Sequence, residues 1–276
     1  MNWLQSVMMG FVSGLCEPMP ICAEAHRGIL SHFFGLTALD PLCLLACHTA
    51  ALIVVLSAGR LELYRLWRTA KILRQPHRRS GHPSLNQAGT LRLLRGAAVF
   101  AIIGRLLSYQ LESVTARIWL LAVPLFVSGL LLWLPTHFRT ANKDGRHLSR
   151  LDGLLLGLAS LMAAVPGISL VCAVLSMASV RGVQRQFAVR FAWLLLSVSL
   201  MTGVAMDLLL IVRSGLSLTP ALLLSAGLCG GAAALGSWLA ILFVRSRTRP
   251  GAGGVSEFCF YNWGLALLCL ALFLLV

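Results

Sequence analysis

The chain has 276 residues, 58% of them hydrophobic and only 12% charged, with a mean hydropathy of +0.84. A soluble domain carries roughly 25% charged residues, so the composition excludes that class and points to a polytopic integral membrane protein. The net charge of +14 does not argue for nucleic acid, because the basic residues lie between apolar spans, the positive-inside pattern, which also suits anionic lipid headgroups.

In chain order, the first apolar region is 3–39. It lacks the basic leader and small-residue cleavage site of a signal peptide, so it is expected to stay in the mature protein. It is interrupted at Pro18, Pro20 and the polar stretch to His26. Continuous spans follow at 41–58, 95–112 and 118–135. A second interrupted region, 151–180, breaks at Pro166-Gly167-Ile168-Ser169, and spans at 191–212, 220–244 and 259–276 complete the chain. Proline removes a backbone donor and clashes with the preceding turn, so each interrupted region is expected to form two half-helices. The loop 74–90 reads as polar and flexible, and 250–254 as a turn. The eight cysteines form no CxxC pair. They read as small apolar packing residues rather than disulfide or metal partners, Cys43 and Cys47 on one helix face included.

Loop charge sets the expected orientation. The loops 60–95, 137–150, 181–190 and 245–257 are basic and are placed in the cytoplasm; 113–117 and 213–219 carry one Arg each and are placed outside. Both interrupted regions must then enter and leave on the same face, from opposite sides of the membrane. The expected architecture is all-α: an inverted repeat with halves 1–140 and 141–276, each a re-entrant helix pair plus three transmembrane helices, with both termini external. Met9-Gly10-Phe11-Val12-Ser13 and Leu156-Gly157-Leu158-Ala159-Ser160 align across the halves, each followed by a proline, Pro20 and Pro166.

Inverted repeats place their site near the midplane, where half-helix N-termini offer free N–H groups and a positive dipole to an anion. Glu17, Glu24 and His26 beside such a site read as parts of a phosphoryl-transfer centre. His26 is then base or nucleophile, and Glu17 and Glu24 are ligands for Mg²⁺ or Ca²⁺. The plainer alternative is that both carboxylates face a water-filled vestibule and bond free backbone amides. Asp207 reads as facing water near the outer end of its span, and His32, His77, His82, His137 and His147 as ordinary loop or interface residues.

Ser13-Gly14-Leu15-Cys16-Glu17-Pro18-Met19-Pro20-Ile21-Cys22-Ala23-Glu24-Ala25-His26 resembles the motif E-G-L-T-E-F-L-P-V-S-S-T-G-H of the BacA-type undecaprenyl-diphosphate phosphatases. Pro166-Gly167-Ile168-Ser169-Leu170-Val171 is similar to that family's P-G-x-S-R-S. Shorter similarities at Cys47 to Leu52, Phe187 to Leu195 and Phe258 to Asn262 make the resemblance collinear over nearly the whole chain. It implies a bacterial, multi-pass plasma-membrane enzyme that hydrolyses undecaprenyl diphosphate to the monophosphate in lipid-carrier recycling for cell-wall synthesis. Its partners would be the bilayer and a polyprenyl-diphosphate lipid, with a homodimer left open.

Carried over by position, Glu17, His26 and Ser169 would be catalytic, and Cys22, Gly167 and His48 would contact substrate, with Arg27 beside His26 as a further substrate contact. The chain departs from the pattern at Ser13, Cys22, Ala23, Glu24 and Ala25, and at Leu170, where the family has the arginine that would hold phosphate. Arg27 and Arg105 are the candidates to supply that guanidinium; their ordinary readings are an interfacial anchor and a snorkelling side chain. The competing reading is a catalytically inactive homologue that binds or translocates a polyprenyl-phosphate lipid. A third is a phosphatase or transporter for another substrate, selected by Glu24 and Leu170.

Overall fold

The computed structural model describes residues 1–36, 39–74, 84–111, 117–134, 143–249 and 254–275. Within them the chain is helical, with one isolated bridge pairing Lys143 and Val183. The helices are α1 (Trp3–Cys16), α2 (Ala23–Phe33), α3 (Pro41–Ala58), α4 (Arg60–Arg74), α5 (Leu85–Gln110), α6 (Ala122–Trp133), α7 (Arg150–Leu161), α8 (Leu170–Val180), α9 (Arg185–Ser214), α10 (Pro220–Arg247) and α11 (Phe258–Leu275). Helices α3, α9 and α10 are long and apolar enough to cross a bilayer, and several shorter apolar helices accompany them. The protein is therefore an all-helical, polytopic membrane protein.

Local chemistry sets the helix ends. Asn2 with Gln5, and Ser149 with Asp152, form reciprocal capping boxes at α1 and α7. Pro41 and Pro220 occupy first turns, where a missing N–H costs nothing. Both interrupted regions break where the prolines stand. Helix α1 stops at Cys16 and α2 restarts at Ala23; α7 stops at Leu161, passes through a short 3₁₀ turn, and α8 restarts at Leu170. At 1.5 Å per residue, α1 and α2 are about 21 and 17 Å long, short of the ~30 Å hydrocarbon layer. The open end of the α7–α8 pair is closed by Arg181, whose Nε lies 2.6 Å from Asp152 Oδ1.

The loop 60–95 differs from its expectation. Residues 60–74 form α4, with Arg60, Arg68 and Lys71 among exposed Leu61, Tyr64 and Trp67, and residues 85–95 begin α5. This is the pattern of a helix lying in the membrane interface. Of the expected loops, 75–83, 113–116, 137–142 and the turn at 250–253 lie outside the described residues.

Small residues bring the helices into backbone contact. A Cβ on Gly10 would sit 2.2 Å from the Cys229 carbonyl oxygen of α10, and one on Gly14 would sit 2.0 Å from that of Ala233. Ser237 Oγ also donates to the Gly14 carbonyl at 2.9 Å. Across the molecule, Gly153 and Gly157 of α7 make room for α5: a Cβ there would meet the Leu93 side chain at 2.7 Å and the Phe100 ring at 2.6 Å. Such approaches are how membrane helices gain packing energy. Gly14→Val is therefore expected to destabilise the fold by about 1–3 kcal/mol, read as a lower unfolding midpoint in detergent. Gly227→Ala is the control: a Cβ there meets nothing within 4 Å, and its midpoint should stay near wild type.

Candidate active site

The two breaks meet. Gly167 N–H donates to Cys22 Sγ at 3.1 Å, and Ser169 Oγ donates to the Met19 carbonyl at 3.1 Å. Gly167 is held at φ +107°, and a Cβ there would approach Pro124 of α6 to 2.8 Å. Its carbonyl accepts from Ser128 Oγ at 2.8 Å. From the side, Trp193 Nε1–H of α9 donates to the Pro18 carbonyl at 3.0 Å. Backbone groups freed by the prolines are thus satisfied across the molecule, as a membrane interior requires.

Between the breaks lies a cavity of about 40 Å³, room for about three waters at ~10–15 Å³ each. Glu17, Cys22, Glu24, Ser169, Leu170 and Arg105 are among its lining residues. The first turns of α2 and α8 both open onto it. Ser169 caps α8 by accepting from Cys172 N–H, while α2 has no side-chain cap on Cys22. Two helix N-termini and a guanidinium therefore converge on one small space, a setting made for an anion.

Arg105 is the centre of the charge network. It enters from α5 and is about nine-tenths buried, and its Nη1 lies 2.8 Å from Glu24 Oε1. Its Nη2 lies 2.5 Å from His48 Nε2, and His48 Nδ1 lies 2.6 Å from Asp207 Oδ2. A guanidinium can only donate and a carboxylate only accept, so His48 is the neutral tautomer with its proton on Nδ1. Tyr109 sits one turn from Arg105, so both face α9. Its hydroxyl lies 2.5 Å from Asp207 Oδ1 and 3.0 Å from the Gly203 carbonyl. Gly203 leaves the room Arg105 needs: a Cβ there would come within 2.9 Å of Arg105 Nε. Beside this chain, Arg27 Nη1 lies 3.5 Å from Glu17 Oε1, which is 3.7 Å from His48 Nε2.

The expected site residues divide accordingly. Glu17, Glu24, Cys22 and Ser169 share the cavity, and Gly167 adjoins it through Cys22. Arg27 and His48 stand behind it, bound to its carboxylates and to Arg105. His26 turns the other way. Its Nδ1 lies 2.6 Å from the Cys22 carbonyl, its Nε2 lies 2.7 Å from Tyr261 Oη, and its ring stacks on that of Tyr261. Asp207, expected to face water, is fully buried, because His48 and Tyr109 together satisfy its carboxylate. The roles of Tyr109, Asp207 and Tyr261 were not foreseen. The available signal was the presence of several opposite charges inside apolar spans, which must pair.

For a divalent cation the donors at the cavity are Glu17 and Glu24. Each faces a guanidinium, and among the described residues no group of three His, Cys, Asp or Glu side chains could hold a metal. Two carboxylates build no cage for Mg²⁺ or Ca²⁺ by themselves; a cation there would take its remaining oxygens from water and the substrate's phosphate groups.

The family profile described as "Bacitracin resistance protein BacA" matches residues 6–268. The undecaprenyl-diphosphatase of Carboxydothermus hydrogenoformans is 26% identical over 272 residues, covering 99% of this chain and 98% of its own length. That of a Nocardioides species is 31% identical over 200 residues, 70% of each chain. That of Paenarthrobacter aurescens is 29% identical over 204 residues, 71% of this chain and 70% of its own.

Proposed function

The chain belongs to the BacA family of bacitracin resistance proteins, and from that membership we propose that it is an undecaprenyl-diphosphate phosphatase of the bacterial membrane. It would release inorganic phosphate and return the lipid monophosphate for cell-wall synthesis. One observation carries the reading: Arg105 brings a guanidinium to the cavity where the N-termini of α2 and α8 converge.

In this reading the terminal phosphoryl group enters between the two first turns. Arg105 releases Glu24 and takes the phosphoryl oxygens, since a forked guanidinium matches them as a leucine at position 170 does not. Glu17 accepts a proton from an attacking water. The water oxygen bonds to the terminal phosphorus, and the bond from that phosphorus to the bridging oxygen breaks. Inorganic phosphate departs, and the lipid monophosphate keeps the bridging oxygen and its electron pair. The growing negative charge meets Arg105 and the helix N-termini. Ser169 and Cys22 hold the breaks in register, Gly167 supplies the turn, and His26 braces Cys22 against α11. Arg27 and His48 hold Glu17 and Arg105 in place. No step runs through a metal ion.

The pairing of helices supports the inverted-repeat reading. Helix α1 packs along α10 as α7 packs along α5, and α3 pairs with α9 as α6 pairs with α11. Gly10 and Gly157, aligned across the halves, both sit at close approaches, to Cys229 of α10 and to Ala97 and Phe100 of α5. With the basic segments inside, both termini are external.

The test is phosphate release from undecaprenyl diphosphate by purified full-length protein, with Mg²⁺, with Ca²⁺ and with chelator, so that a cation requirement is read separately. Glu17→Gln is expected to lower kcat by on the order of 10²–10⁴. Equal release by wild type and variant would overturn the assignment of Glu17. Absence of release from wild type that still binds the lipid would favour the non-catalytic reading.

A further inference from the structure

A second cavity, of about 340 Å³, lies outside this site at the arginine-rich end of the bundle. Its wall comes from the end of α3, the start of α4, the first turns of α9 and the end of α10. The volume falls within the range of ligand sites, ~300–1,000 Å³. Its floor is apolar and includes Val189 and the Trp193 ring, and its rim carries Arg65, Arg190 and Arg245. Glu62 is the acidic lining residue, and it already faces Arg65 at 4.0 Å. Arg190 Nε donates to its own helix at Gln186 O, 3.2 Å away. Arg245 Nη2 donates to the Ala58 carbonyl at 2.7 Å, and its guanidinium sits 5.7 Å from the Trp193 ring centroid. Neither arginine has an ion pair with a carboxylate among the described residues.

The position of the cavity decides between ligand classes. It opens where the apolar spans α9 and α10 give way to basic flanks, beneath α4, whose exposed Tyr64 and Trp67 suit the membrane interface. A soluble anion would need the arginines but not the apolar floor. A glycerophospholipid needs both, with its phosphate at the rim and its acyl chains along the wall, and basic pockets between helices at a membrane face bind such headgroups. We propose that this cavity is a binding site for an anionic glycerophospholipid, lying outside the cavity between the breaks.

Trp193 is the reporter. Purified full-length protein in neutral detergent is titrated with phosphatidylglycerol carrying brominated acyl chains, and in parallel with phosphatidylcholine carrying the same chains. The quenching that is lost in Trp193→Phe isolates this site from the other six tryptophans of the seven. The expected result is half-quenching by phosphatidylglycerol at about a tenfold lower concentration than by phosphatidylcholine, a difference of about 1.4 kcal/mol. Arg190→Gln with Arg245→Gln should abolish that preference, while Arg190→Lys with Arg245→Lys should retain most of it, which separates lost charge from lost fold. Inorganic phosphate at millimolar concentration should not relieve the quenching. Equal quenching by the two lipids, a preference unchanged in the Gln double variant, or relief by inorganic phosphate would each overturn the lipid assignment.

Discussion

Arg105→Leu is expected to lower kcat/KM for undecaprenyl diphosphate by on the order of 10²–10³, the scale seen when one preorganised donor to developing charge is removed, about 2.7–4 kcal/mol. Three contacts would be lost together: the pair with Glu24 at 2.8 Å, the hydrogen bond to His48 at 2.5 Å, and the guanidinium beside the N-termini of α2 and α8. Arg105→Lys keeps the charge but not the fork, so it should fall between leucine and wild type. The decisive arm is a double variant. Leu170 lines the same cavity, next to Ser169. If Arg105 supplies the guanidinium that the sequence reading expected at 170, then Leu170→Arg in the Arg105→Leu background should restore at least tenfold of the lost rate. Steady-state phosphate release by the four proteins measures this. No loss in Arg105→Leu would remove Arg105 from the chemistry.

Asp207→Ala should be the most destabilising change in the charge network. Asp207 is fully buried and holds both His48 and Tyr109. Removing one partner of a buried, hydrogen-bonded set strands the others, at a cost of about 3–5 kcal/mol. Asp207→Asn keeps an acceptor for His48 and should cost well under half of that. Tyr109→Phe removes one hydrogen bond and should cost about 0.5–1.5 kcal/mol. The exposed pair Arg146–Asp144, at 3.5 Å, sets the lower bound: Arg146→Ala should shift stability by less than about 1 kcal/mol. Unfolding midpoints in detergent rank the four. An Asp207→Ala midpoint equal to that of Arg146→Ala would mean that the buried network does not hold the helices together.

The long spans and both breaks were legible in the sequence. Proline chemistry and apolar length act locally, so Pro18, Pro20 and Pro166 announce where α1 and α7 must stop. The expected position of the site between the breaks follows from the same local facts. Helix α4 was not foreseen, because its arginines read equally well as loop charge; the interleaved Leu61, Tyr64 and Trp67 were the missed signal. The candidate site was legible in part. Glu17, Glu24 and Ser169 were expected and share the cavity, whereas His26 was expected to face the chemistry and instead bonds Cys22 and Tyr261.

By itself, then, the sequence determined the membrane class, the apolar spans, both breaks and the family, because apolar length, proline and motif spacing are properties of neighbouring residues. Only the tertiary structure decided which buried charge meets which. Arg105 is 81 residues from Glu24, and His48 is 159 residues from Asp207. A charge inside a membrane protein must find a partner, but several opposite charges were available to each. The choice among them depends on which faces of α2, α3, α5 and α9 pack together, with Gly203 making space for a guanidinium that a Cβ would push aside.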